Sequence, residues 1–156
     1  MQPIGLGVRA GPRGERLLYR EAEPADEPVA HEAFRGLSEE TRHNRFMAAV
    51  SEIPESILAG LRDPDRARQF ILAVFRLDGA GREAEPVGAA RLVEIGDGET
   101  CEFGIVLADA WQGQGVGATL LGILLDNARA RGLRRVRGDV LATNDAMLSL
   151  ARSLGF

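Results

Sequence analysis

The stretch from Ala108 to Leu121, ADAWQGQGVGATLL, constrains the fold more than any other part of the chain. Its glycines precede an apolar run with helical spacing, at Leu120, Leu121 and Leu124. Glycine permits backbone conformations and close approaches that other residues do not. A helix N-terminus adds unpaired N–H donors and the positive end of the helix dipole. The stretch therefore predicts a tight loop that opens a helix and suits an anion such as a diphosphate.

Apolar spacing and turn residues predict the elements around this loop. Strands are predicted in this order: Arg16 to Ala22, RQFILAVFRL, PVGAARLVEI, TCEFGIVLA and LRRVRGDVLA. Five helices are predicted. The first covers DEPVAHEAFRGL, the second begins after Ser38 as its N-cap, and the third covers Glu55 to Leu61 and ends before Pro64. The fourth runs from the glycines to Gly132, and the fifth begins after Asn144. The order predicts an α/β (α+β) fold, with a mixed and mostly antiparallel sheet flanked by helices.

Composition limits the classes of function. The 156 residues predict a single domain over 1–156, whose first 14 residues, rich in Gly, Pro and Arg, are expected to be a flexible surface segment. A net charge of −4 argues against a nucleic-acid partner. One cysteine and two separated histidines give neither a disulfide nor a zinc site, so no metal is expected. No apolar run is long enough to cross a membrane, and we expect a cytoplasmic protein without a membrane partner.

Other glycine motifs fit the loop less well. A Walker A loop would require a Gly-Lys-Ser/Thr sequence, which is absent here. Gly113, Gly115 and Ala118 satisfy the dinucleotide pattern G-x-G-x-x-A, but that pattern opens the first strand of a parallel sheet, and here several strands precede it. A simple tight turn remains the alternative to a phosphate site.

Two segments resemble signatures of the GNAT acyltransferases. Gln112 to Gly117 resembles the Q/R-x-x-G-x-G/A acyl-CoA pyrophosphate loop, and TNDAMLSLARSLGF resembles the second signature, in which an Asn opens a helix that ends in Leu-Gly-Phe. The stretches FRGLSEETRHNRFM, CEFGIVLADAWQGQGVG and VLATNDAMLSLARSLGF resemble more closely the acetyltransferase domain of Pat-type bacterial protein lysine acetyltransferases. The resemblance covers Leu17 to Phe156.

The resemblance implies acetyl-CoA as the acyl donor and a direct, ternary-complex transfer to a primary amine. It implies that Glu102 is the base that deprotonates the amine. The backbone of Val106, Leu107 and Ala108, near a bulge in the strand, would hold the pantetheine arm, and the N–H of Val106 or Leu107 would bind the oxyanion. The implied diphosphate site comprises Gln112, Gly113, Gln114, Gly115, Val116, Gly117 and Ala118. Asn144 would cap its helix and contact the pantetheine or a water.

Several alternatives stay open. Glu102 could face solvent on a half-exposed strand, and Glu94 and Glu99 are then the alternative bases. The favoured acceptor is a protein lysine, with a small amine or a non-catalytic acyl-CoA sensor as alternatives. Ala151 occupies the position where many members of the family have a tyrosine acid.

The C-terminal end of the sheet and four further side chains also carry expectations. The family continues with two more strands beyond SLGF, so we expect a truncated sheet whose unpaired edge could associate with another chain. Cys101 is expected in the core and Trp111 beneath the loop. Arg42 and Arg45, on a helix near the acceptor side, could bind a CoA phosphate or an acidic protein, or face solvent.

Overall fold

Six strands form one sheet in which spatial order follows chain order. The computed structural model describes residues 5–63 and 65–156. Its strands are β1 (Gly7–Ala10), β2 (Arg16–Glu21), β3 (Gln69–Leu77), β4 (Glu83–Ile95), β5 (Thr100–Leu107) and β6 (Arg135–Arg137). Its α-helices are α1 (Glu27–Arg35), α2 (Glu39–Phe46), α3 (Glu55–Arg62), α4 (Val116–Ala130) and α5 (Asp145–Ser153). The mixed sheet with flanking helices confirms the predicted fold class.

The directions of the strands follow from their connections. β1 to β5 pair antiparallel with their neighbours, whereas β5 and β6 are joined through α4 and pair in parallel. A crossover helix is the usual way to link parallel neighbours, because a tight turn cannot reverse the chain twice. Among the described residues, no helix is long and apolar enough to cross a membrane.

The main core lies between the sheet and α4. Leu120, Leu121 and Leu124 are fully buried and join one cluster with residues of β2 to β5, including Cys101. Burial raises the pKa of the Cys101 thiol, and the nearby charge of Glu94 raises it further. The expected core position of Cys101 is therefore confirmed. A second, smaller cluster on α3 and the neighbouring strands holds Leu61 and Phe75.

The structure differs from the predicted elements at both edges of the sheet. Residues 7–10, predicted as loop, form β1 and pair with Arg16 to Tyr19. This strand has one half-buried residue and three exposed ones, so its sequence carries no alternating pattern. Residues 1–4 and Pro64 lie outside the described residues. β6 covers only three residues of the predicted strand Leu133 to Ala142.

The short β6 leaves a gap beside β5. Pairing of the two strands stops at Glu102 opposite Arg137. The ring of Phe103 then lies against Gly138, where a Cβ atom would overlap it. Beyond this point one side of β5 has no strand partner among the described residues, and this opening positions the site described below.

We expect Leu121→Ala to lower the free energy of unfolding by about 2–5 kcal/mol, because it leaves a cavity under α4. Chemical denaturation measures the change. Gly122→Ala, in the same helix at a position where a Cβ meets open space, is the control. It should stabilise the helix by about 0.5–1 kcal/mol. Equal stability of the wild type and Leu121→Ala would contradict the assigned core.

Candidate functional site

A cleft of about 270 Å³ opens where β5 and β6 part. One wall comes from α2, the floor from β5, one end from the glycine loop and the start of α4, and the other wall from α5 and the segment after β6. Its lining residues are Thr41, Asn44, Arg45, Phe103, Gly104, Ile105, Val106, Leu107, Gln112, Gly113, Gly115, Gly117, Ala118, Asp139, Val140, Asn144, Ala146, Met147 and Leu150. Eight of these belong to the predicted site, whereas Glu102, Ala108, Gln114 and Val116 do not line the cleft.

The floor of the cleft is β5, whose backbone N–H and C=O groups point alternately toward β4 and toward the open side. The register of β4 and β5 runs unbroken from Gly88 opposite Leu107 to Ile95 opposite Thr100, without the expected bulge. The N–H of Ala108 donates to the Val87 carbonyl at 2.9 Å, so that pair is hydrogen-bonded. Because hydrogen-bonded pairs alternate in an antiparallel ladder, the backbone groups of Leu107 and Ile105 face the open side. Those of Val106 face β4.

The loop ends in an uncapped helix N-terminus. Gly113 and Gly115 have φ angles of +71° and +92°, in the left-handed region that glycine tolerates best. Gly115 is the N-cap of α4, and no side chain accepts from the first N–H groups of the helix. These donors, on Val116, Gly117 and Ala118, have no partner within the helix. The loop therefore supplies a concentration of positive partial charge at the end of the cleft.

Side chains brace the loop from below and from both sides. The buried Trp111 lies under it, as expected, and donates to a Glu85 carboxylate oxygen at 3.1 Å. This bond and the ion pair with Arg76 lower the pKa of Glu85. The Gln114 side chain accepts from Arg13 at 2.6 Å, which turns it away from the cleft. Loop conformation is thus set by side-chain contacts as well as by glycine.

A hydrogen-bond chain ties α2 to the loop. Ser38 caps α2, as predicted, by accepting from the Thr41 N–H at 3.1 Å. The Gln112 side-chain amide donates to Thr41 Oγ1 at 3.0 Å and to the Leu107 carbonyl at 3.1 Å. Thr41 Oγ1 in turn donates to Asp109 at 3.3 Å, and the Ser38 N–H donates to the same carboxylate at 3.1 Å. These hydrogen bonds therefore hold α2 and the loop as one unit.

The candidate base lies just below the cleft. Glu102 shares its face of β5 with Gly104 and Val106, which do line the cleft. Its carboxylate is 36% exposed and accepts from Arg137 at 3.0 Å. Glu99 instead pairs with Arg134 and Arg135 at the turn before β5.

The alternative bases lie outside the cleft. Glu94, opposite Cys101 in the sheet, lies on the α4 face. Neither Glu94 nor Glu99 is among the lining residues.

α5 contributes an ordered wall without a proton donor at the tyrosine position. Asn144 accepts from the Met147 N–H at 3.2 Å, and its predicted capping role is confirmed. Asn144, Met147 and Leu150 line the cleft, whereas Ala151 is buried and does not. The apolar side chains on this wall suit an alkyl chain better than a charged group.

Two charged residues of the cleft lie outside the predicted site. Asp139 is the one carboxylate among the lining residues described, and Arg45 is the one guanidinium. The sequence gives no direct signal for Asp139, because it falls in a segment predicted to be strand. Arg45 was recognised only as a helix residue near the acceptor side, and its burial against β5 depends on how α2 packs on that strand.

The mixed six-stranded sheet with its flanking helices is the fold of the GNAT acetyltransferases. The family described as Acetyltransferase (GNAT) domain matches residues 16–156, and the chain belongs to this family. An acetyltransferase of Pseudomonas aeruginosa is 33% identical over 92% of this chain and 76% of its own length. The acetyltransferase Pat of Mycolicibacterium smegmatis is 29% identical over 98% of this chain and 44% of its own length. The chain thus spans less than half of that larger relative.

A solved structure agrees in fold. The GNAT domain of S. lividans PAT superposes with a TM-score of 0.83 at 24% identity, over 97% of this chain and 87% of that one. The predicted resemblance to GNAT and Pat-type acetyltransferases is confirmed by these comparisons.

We expect Asp109→Asn to lower the melting temperature at pH 7, because it weakens the acceptor for Ser38 and Thr41. Burial alone would raise the pKa of Asp109, but these hydrogen bonds outweigh it and lower the pKa. The charged Asp109 therefore contributes its full share to the free energy of unfolding above pH 3.8, the ordinary pKa of an aspartate. This contribution is lost as the pH falls below 3.8 and through the lowered pKa of Asp109. The melting difference between wild type and variant should narrow below that pH. A difference that is independent of pH would exclude the charged interaction.

Proposed function

We propose that this protein is an acetyl-CoA-dependent N-acetyltransferase that transfers the acetyl group directly to a primary amine in a ternary complex. The observation that carries this proposal is the uncapped start of α4, which lies at the end of a cleft floored by an unpaired strand edge. The N–H groups of Val116, Gly117 and Ala118 would bind the diphosphate. Gln112, Gly113 and Gly115 shape this end of the cleft, and Gln114 and Val116 support it from outside.

The open edge of β5 would bind the pantetheine arm as an added strand. The direction of the backbone supports Ile105 and Leu107 in this role. Val106, between them, would contribute a side-chain contact, and Ala108 would support the edge. The Leu107 carbonyl already accepts from Gln112, so its N–H is the group left for the ligand. We place the thioester oxygen near the N–H of Ile105 or Leu107. Such a preorganised donor stabilises the oxyanion as it forms.

Glu102 would act as the general base. The neutral amine attacks the thioester carbonyl carbon, a C–N bond forms, the C–S bond breaks, and the CoA thiolate leaves. Glu102 takes the proton of the amine, through a water because its carboxylate lies below the cleft. Asp139, inside the cleft, is the second carboxylate able to take this proton. CoA thiolate is a good enough leaving group to depart without the tyrosine that Ala151 replaces, with water as the proton source.

The favoured acceptor is a protein lysine, in a cytoplasmic setting. One finding supports it: the relationship to the mycobacterial Pat, which agrees with the resemblance of the sequence to Pat-type acetyltransferases. A small amine is the alternative, because the cleft is open at the acceptor end and several of its lining groups there are polar.

We expect Gly115→Asp to weaken acetyl-CoA binding, measured by calorimetry, by about a hundredfold or more. Two like charges about 4 Å apart repel by about 4 kcal/mol near a protein surface. Gly115→Asn is the matched control, with the same shape and the same backbone strain but no charge, and it should lose far less affinity. Gly79→Asp, in an open turn away from the cleft, should bind normally. Equal losses in the Asn and Asp variants would argue for a simple turn.

We expect Glu102→Gln to lower kcat by about 10²–10⁴-fold while acetyl-CoA affinity stays unchanged, because general-base catalysis is removed. Steady-state kinetics on a panel of amines and lysine peptides measures kcat. Glu94→Gln and Glu99→Gln are the controls and should retain turnover. If Asp139→Asn loses turnover and Glu102→Gln does not, Asp139 is the base. A chain that binds acetyl-CoA but acetylates nothing would be a sensor.

A further inference from the structure

Arg45 is a cation built into the acceptor end of the cleft. Its guanidinium lies directly against Gly104 in the middle of β5, where a Cβ atom would overlap it. It also lies over the Phe46 ring, with 4.8 Å between the guanidinium carbon and the ring centroid. The side chain lines the cleft while half-buried. It is therefore fixed between the backbone of α2 and the strand, with part of its surface turned to the cleft.

Arg91 places a second positive charge behind the first. It lies opposite Gly104 on β4, so its side chain leaves the same face of the sheet. Its Nε atom is buried without a hydrogen-bond partner. Burial lowers the pKa of Arg45, and the charge of Arg91 lowers it further. Burial likewise lowers the pKa of Arg91.

No carboxylate is in direct contact with either guanidinium among residues 5–63 and 65–156. Neither Arg45 nor Arg91 forms an ion pair or a side-chain hydrogen bond there. The charge of Glu102 acts on Arg91 from a distance, but Glu102 forms its ion pair with Arg137, which donates twice to Oε1. A buried cation without a counter-ion is costly. A bound anion would remove much of that cost.

Other half-buried arginines of this chain are paired differently. Arg20 donates to Asp26 and Glu83, and Arg76 donates to Glu85. Arg42 and Arg66 each have one buried nitrogen without a partner, but both also donate to backbone carbonyls. Arg45, which lines the cleft, and Arg91 behind it thus differ from these arginines, because neither donates to a polar group in the part of the chain that the structure describes.

We propose that Arg45, with Arg91 behind it, binds a carboxylate carried by the amine acceptor. This inference rests on the proposed function. Gly104 lies three residues from Leu107, about 10 Å along the strand and away from the loop that would hold the diphosphate. The guanidinium is therefore on the acceptor side of the thioester. A guanidinium can bind both oxygens of a carboxylate at once, which fixes the amine relative to the thioester.

Two sources share this chemistry: the α-carboxylate of a free amino acid, and an acidic side chain next to a protein lysine. Two matched pairs separate them. The first pair is L-lysine and cadaverine, which is lysine without its carboxylate. The second is a lysine peptide with Asp beside the lysine and the same peptide with Asn. In whichever format is accepted, we expect the carboxylate member to have a kcat/KM at least about tenfold higher, as a charge-assisted bond provides.

Arg45→Gln should abolish that preference by lowering kcat/KM for the carboxylate member alone, with acetyl-CoA affinity unchanged. Arg45→Lys should retain part of it. Arg129→Gln, which removes an exposed charge on α4, should leave the preference intact. The inference would be overturned if, in both the free-amine pair and the peptide pair, the two members had kcat/KM values within twofold of each other. An equal loss of kcat/KM for both members of a pair in Arg45→Gln would also overturn it, because it would indicate a structural role. Weaker acetyl-CoA binding in Arg45→Gln would overturn it too, because it would indicate that Arg45 binds a phosphate of the donor.

A thermal measurement tests the same site without turnover. Succinate, compared with chloride at equal ionic strength, should raise the melting temperature of the wild type and of Arg129→Gln but not of Arg45→Gln. An equal rise in all three proteins, or none in the wild type, contradicts a carboxylate site. Failure of acetyl-CoA to bind would count against the proposed function instead, because the succinate shift depends on Arg45 and not on the donor.

Discussion

The site depends on the parting of two parallel strands. Beyond Glu102 and Arg137 the ladder between β5 and β6 stops, and Phe103 fills the angle between them. Within the described residues, backbone groups of Ile105 and Leu107 are then left without a strand partner on the open side, between the polar wall of α2 and the apolar wall of α5. Buried backbone groups are nearly always paired, so this edge favours a ligand that brings its own donors and acceptors in an extended form.

The packing of α4 on the sheet fixes the position of the glycine loop relative to the open edge of β5. The fully buried leucines of α4 fix the helix on the sheet, and Gly117 brings the helix close to Leu107 and Leu150. The positive end of α4 and the open part of β5 therefore face the same cleft. A flexible glycine loop alone could not hold this geometry. The buried Trp111 and the side chains of Gln112 and Gln114 restrict it.

Local sequence signals predicted the parts of the site that depend on local geometry. The glycine loop, the Ser38 and Asn144 caps and the long apolar helix all carry such signals, and the structure has each of them. β1 was missed because an exposed edge strand of four residues has no hydrophobic alternation. The length of β6 and the position of Arg45 depend on contacts between distant elements. No single stretch of sequence encodes them.

A series of side-chain hydrogen bonds, from Gln112 to Thr41 and from Thr41 to Asp109, links α2 to the glycine loop. The helix α2 is thereby tied to the glycine loop. Replacing α2 with the helix of a relative, in order to change acceptor choice, would cut this connection unless Ser38 and Thr41 came with it. Substitutions at Asn44 or Arg45, which take no part in these hydrogen bonds, would therefore leave the link between α2 and the loop intact, whereas substitutions in the first turn of α2 would not.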